Sequence, residues 1–187
     1  MSVSFKTLKS FAASAVALAS LASGTAYAAP TQGTLGATST GSILITASVP
    51  NRARITGLAD VTFAPTDLTV AASNAQDVCV WSNTATKGYN VTATGSGASS
   101  AFTLTTAGPS PLTVPYSVAW NASAGQTTGT TLASGTVSAN QVSTATNQLC
   151  TAGETQSLIL GIIASDLGAM QATTSYTGTL TLVVAPV

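Results

Sequence analysis

Apolar and polar residues alternate with a period of two along most of the chain after residue 40. Gly, Pro, Ser and Asn interrupt the runs about every 8 to 12 residues, the rhythm of short strands joined by turns. This pattern predicts strands at 41–49, 53–57, 61–64, 67–71, 76–82, 88–95, 101–106, 112–120, 130–137, 155–163 and 176–185. Turn chemistry separates several of them: "TKGYN" around Gly88, "GSGASS" from Gly95 to Ser100, "AGPSP" from Ala107 to Pro111 and "NASAGQ" from Asn121 to Gln126. One short helix is predicted, Ala164 to Gln171, interrupted by Gly168. Many short strands with almost no helix imply an all-β sandwich or barrel.

The first of these strands, "GSILITASV" from Gly41 to Val49, places Ile43, Ile45, Ala47 and Val49 on one face, with Leu44 breaking the alternation. Pro50 follows it and marks a strand exit. What precedes it changes the picture. Lys6 and Lys9 form a positive n-region, Phe11 to Leu21 an apolar stretch, and "AYAA" offers small residues at Ala26 and Ala28. These are the parts of a secretory signal peptide, so residues 1–28 are expected to be removed on export. Roughly 160 residues then remain, enough for one domain with its own core. The stretch from Ala29 to Thr40 is rich in Gly and Thr, has Leu35 as its only large aliphatic residue, and suits a tether.

Charged residues are 5% of the chain, and His is absent. Beyond the signal the only cations are Arg52, Arg54 and Lys87, which leaves no basic stripe for nucleic acid and no polybasic patch for a membrane surface. So little charge protects poorly against self-association. The two cysteines, Cys79 and Cys150, are an even pair in an exported chain and read as one disulfide, with Cα atoms expected about 4.4 to 6.8 Å apart. The bridge would close a loop of about 70 residues and contribute roughly 4 kcal/mol on the chain-entropy estimate. A zinc site is disfavoured, since the spacing fits no zinc pattern and no His is present.

Candidate catalysis finds no support. Without His, a general base would have to be Lys87 or one of Asp60, Asp67, Asp77, Glu154 and Asp166, and none sits in a recognisable motif. The acids are scattered without calcium-ligand spacing, and the glycines follow no phosphate-loop pattern. The expectation is a protein that is not an enzyme and binds no cofactor or metal. "PYSVAW" aligns Tyr116, Val118 and Trp120 on one face, and Cys79 shares a face with Trp81; core packing is preferred for these over stacking on a sugar.

Three stretches together, "ILITASVP" near the start, "LTVPYSVAW" in the middle and "YTGTLTLVVAP" near the end, resemble the pilin subunits of chaperone-usher fimbriae, in particular the alpha-type and the archaic, spore coat protein U-like branches. The resemblance implies an immunoglobulin-like β-sandwich that is incomplete and is completed by an N-terminal donor strand from the next subunit. It implies a signal peptide at 1–28, an N-terminal extension with the donor strand at 29–52 and a pilin β-sandwich at 53–187. Ile43, Ile45, Ala47 and Val49 would be the donated plugs. Leu180, Leu182 and Val184 would line the acceptor groove and the chaperone contact. The implied function is a structural subunit of a surface fimbria that polymerises by donor-strand exchange and supports adhesion or biofilm formation. Its partners would be identical or related pilins, a periplasmic chaperone and an outer-membrane usher, with a host surface or glycan outside the cell. The chain would pass through the periplasm to the cell surface.

Two other readings compete: a self-contained secreted carbohydrate-binding sandwich whose first strand completes its own sheet, and a coat or matrix protein that polymerises unaided.

Overall fold

The computed structural model describes residues 29–187; the predicted signal peptide lies outside the described residues. The chain divides after Ser48 into two compact units.

In the first unit, Thr31 and Ser42 form an isolated antiparallel bridge, with N–H to carbonyl distances of 3.0 and 2.9 Å in the two directions. Gly41–Val49 was expected to be a strand, yet beyond Ser42 it carries no ladder. Period-two alternation only makes a segment competent to pair, because a strand exists through the hydrogen bonds of a neighbour.

The second unit holds eleven strands, a single 3-10 turn at Ala98–Ser100 and one short α-helix. They are β1 (Ala53–Thr56), β2 (Ala72–Ser82), β3 (Gly88–Gly95), β4 (Thr103–Thr106), β5 (Thr113–Pro115) and β6 (Ser117–Asn121). Then come β7 (Thr130–Thr131), β8 (Gln141–Val142), β9 (Gln156–Ile162), α1 (Ala164–Gly168), β10 (Tyr176–Thr177) and β11 (Leu180–Pro186). All pairings are antiparallel. The sheets run β1-β2-β9-β6-β7, β11-β3-β8 and β10-β4-β5.

The first two sheets enclose the main core. Val78 and Val80 of β2, Val118 and Trp120 of β6, and Leu158 and Leu160 of β9 meet Tyr89, Val91 and Ala93 of β3, and the inward residues of β11 pack on the same cluster. The molecule is thus all-β and sandwich-like. A smaller cluster joins Val114, Ile162 and Leu167, so that the buried Leu167 fastens α1 to the third sheet. No helix among the described residues is long and apolar enough to cross a membrane.

β2 is shared between two neighbours at different heights. β9 pairs with Ala72 to Val78 along one edge, and β1 with Cys79 to Ser82 along the other. β1 is followed by Gly57, whose φ of +85° is readily adopted only by glycine. There the chain leaves the ladder. The predicted strands at 61–64 and 67–71 are therefore absent: the backbone runs beside β2, held to it by the Gln76 side chain rather than by a ladder.

Candidate functional site

β11 reads "LTLVVAP", and its alternation turns Leu180, Leu182 and Val184 inward while Thr181, Val183 and Ala185 face solvent. β3 pairs with it along one edge from Leu180↔Gly95 to Pro186↔Tyr89. No strand pairs with its other edge among the described residues. β1 likewise ends the opposite sheet. Where the chain leaves β1, an open groove of about 650 Å³ lies between Leu58–Phe63 on one side and Thr174–Leu182 on the other.

Its floor is the sandwich interior. Leu158, Leu160 and Ile162 of β9 line it, together with Leu104 and Tyr116, and Met170 lies beyond α1. Val61, Phe63, Tyr116, Leu180 and Leu182 are only half-buried although they pack against the core. Their remaining exposure is the groove itself. Gln76 fixes the first wall, its amide oxygen accepting from the Ala59 N–H at 2.8 Å and its amide nitrogen donating to the Ala59 carbonyl at 3.2 Å. Burial pushes the Tyr116 hydroxyl above its ordinary pKa, as expected for a phenol against an apolar floor. Asp60 is the one carboxylate lining the groove. Such a site offers apolar slots beside an unpaired strand edge, which is what an extended segment with alternating apolar side chains requires.

The sequence-predicted residues fall as follows. Cys79 and Cys150 are bonded, with Cα atoms 6.2 Å apart. The bridge holds the 143–155 segment along the edge of β2 beyond its pairing with β9, where Ser143 Oγ donates to the Val80 carbonyl and the Thr155 N–H donates to the Val78 carbonyl at 2.9 Å. Cys79, on the side of β2 opposite Val78 and Val80, is buried at this bridge. Ile43, Ile45 and Val49 are 73%, 82% and 76% exposed, and Ala47 is exposed as well. Leu180 and Leu182 line the groove, whereas Val184 packs on the main core with Ile55 outside it. Val118 and Trp120 are buried and Tyr116 is half-buried, as core packing requires, while Trp81 stays half-buried outside the main cluster.

Sequence reasoning missed the Leu58–Phe63 wall and the β9 floor. The signal for the wall was present, since Val61 and Phe63 alternate, but it was read as a strand. Among the described residues no three of His, Cys, Asp and Glu come together as metal ligands. A shallower, polar depression of about 440 Å³ lies at Trp120–Ala122, Thr128–Thr130 and Gln141. No family model and no curated protein matches this chain.

Proposed function

We propose that this chain is a structural subunit of a bacterial surface fimbria of the chaperone-usher type, with an incomplete immunoglobulin-like sandwich, polymerising by donor-strand exchange. The observation that carries the reading is the groove beside the unpaired edge of β11, open over Leu180 and Leu182. A segment with the required alternation exists in the same chain, and its plugs Ile43, Ile45 and Val49 are exposed. Each would contribute roughly 1.5 to 3 kcal/mol on burial, before the cost of ordering the strand is subtracted. Backbone hydrogen bonds to the β11 edge would add register. The contact is heterologous and does not close, so repetition yields a fibre. Before assembly the same groove would be covered by a periplasmic chaperone, and an outer-membrane usher would deliver the subunit to the cell surface, where a host surface or glycan would be the external partner.

The test is deletion of residues 29–49, with the variant co-expressed with a fimbrial chaperone. A folded, chaperone-bound subunit that forms no fibres is the expected result. Loss of the folded subunit itself would mean that the strand completes its own sheet.

A further inference from the structure

Beyond residue 28, all three cations and three of the five carboxylates are sorted by position; Asp77, which accepts from the Ser157 hydroxyl within the first sheet, and Glu154, two residues before β9, stand outside this division. Ser82 and Gly88 are adjacent, the Ser82 hydroxyl donating to the Gly88 carbonyl at 2.9 Å, so the end of β2 and the start of β3 lie at one pole. Arg52, Arg54 and Lys87 are all there. The Arg52 carbonyl accepts from the Asn83 N–H at 3.1 Å, Arg54 lies opposite Trp81, and Lys87 immediately precedes β3. The latter two side chains reach carbonyls rather than carboxylates: Arg54 Nη1 donates to Gln148 O at 3.2 Å and Lys87 Nζ to Ala145 O at 3.4 Å.

Asp60, Asp67 and Asp166 lie elsewhere. Asp67 precedes the start of β2, and Asp166 follows the end of β9, which pairs with that start at Ala72↔Ile162. Asp60 lines the groove, and Leu167, next to Asp166, packs in the cluster that also holds Phe63 and Tyr176 of the groove walls. The N-terminal end of β11 belongs to this acidic pole, because Leu180 pairs with Gly95 at the far end of β3. The chain itself enters the second unit at the cationic pole, where the Asn83 amide nitrogen donates to the Pro50 carbonyl at 2.9 Å.

We propose that the cationic pole of one copy docks on the acidic pole of the next, Arg52 and Arg54 facing Asp60 and Asp166, and that this charge pairing steers subunit joining. The proposal rests on the donor-strand reading and commits to a second copy of this chain as the occupant. It also fixes a direction. A donor running antiparallel to β11 ends with Val49 at the acidic pole and brings Arg52 and Arg54 of its own subunit there. A donor running parallel to β11 would set cationic pole against cationic pole. Exposed charges contribute little to affinity singly, but complementary patches raise encounter rates by about 10- to 1,000-fold at low salt.

Two charge-reversed mature chains test this, Asp60→Arg with Asp166→Arg, and Arg52→Asp with Arg54→Asp. Joining is followed as the rate of appearance of fibre ladders at about 20 and 500 mM NaCl, which brackets strong and weak screening. Wild type should join about tenfold faster at low salt. Each variant alone has like-charged poles and should join at least tenfold more slowly at low salt, with salt now accelerating it. A mixture of the two variants, in which every mixed junction pairs opposite charges, should recover the wild-type rate. Salt-independent wild-type joining, or a mixture no faster than its components, overturns the proposal. If a variant fails to fold, the wild-type salt dependence still decides. Folded wild type that forms no fibres in any salt, with or without a chaperone, would instead remove the donor-strand reading.

Discussion

Tyr89 shows how burial turns a single side chain into a pH-dependent element of stability. Its ring lies edge-on to Trp120, centroids 6.5 Å apart, and its hydroxyl oxygen accepts from the Trp120 indole N–H at 3.2 Å. Burial pushes the phenol up to about 12, and the indole donor, which favours the phenolate, opposes this only in part. A folded pKa above the unfolded value of about 10 means that this contribution is complete below pH 10 and is lost as pH rises toward 12. Urea midpoints should therefore fall between pH 10 and 12, and Tyr89→Phe should flatten that part of the profile. The same substitution strands the buried indole N–H, so it should also cost about 1 to 3 kcal/mol at neutral pH. An unchanged alkaline slope in Tyr89→Phe would assign the effect to other groups. The cysteine pair was legible from its even count together with the expected signal peptide. Its consequence is measurable: Cys79→Ser with Cys150→Ser should lower unfolding free energy by about 2 to 5 kcal/mol, since the chain loses a long cross-link.

Among the elements, those that rest on alternation and on neighbours already in the chain were the legible ones. The 88–95 strand is β3, 155–163 contains β9, and the helix was placed correctly though it stops at Gly168. The expected 176–185 strand is two strands, because the chain changes sheet at Gly178: β10 pairs with β4, and β11 with β3. Ser96 marks the switch, its N–H donating to the Thr179 carbonyl at 2.9 Å and its hydroxyl accepting from the Thr179 N–H at 2.9 Å. Likewise "LTVPYSVAW" splits into β5 and β6 at Tyr116, whose N–H donates to the Phe102 carbonyl at 2.9 Å. Alternation continues across such switches, so it cannot reveal them. The inward set of β11 was read correctly, but the groove beside it depends on two edges that come together only in three dimensions. Leu182→Asp should set a half-buried, unpaired charge against the core and lower stability by about 2 kcal/mol or more, whereas Val183→Asp, on the solvent face with 55% exposure, should change it by no more than about 0.5 kcal/mol. Circular dichroism and urea melts of the two variants would distinguish them, and a Leu182→Asp as stable as Val183→Asp would mean that the inner face is misassigned.

At the scale of the whole molecule, the proposed donor exchange would make stability depend on what fills the groove. Apolar side chains on both groove walls remain half-exposed, while the exposed Ile43, Ile45 and Val49 alternate along Gly41–Val49. Supplying that segment in trans separates the groove from fibre growth. The receiver is the mature chain with Ile45→Asn, whose own donor carries a polar side chain at one plug and should not propagate. Added as a peptide, Gly41–Val49 should bind the folded receiver and stabilise it by RT ln(1 + [L]/Kd), about 2.7 kcal/mol at a hundredfold excess over Kd. For a domain of this size that raises Tm by roughly 5 to 10 °C. Hydrogen exchange should slow along Leu180–Pro186, because the free edge of β11 gains partners that water otherwise supplies. A peptide with Ile43 and Ile45 exchanged for Ser keeps the backbone but loses its plugs, and should give neither effect. One in which the apolar set is moved by a single position presents it to solvent and should also fail. Equal stabilisation by all three peptides would show that the edge binds any extended backbone, and none by any of them would remove the groove as an acceptor.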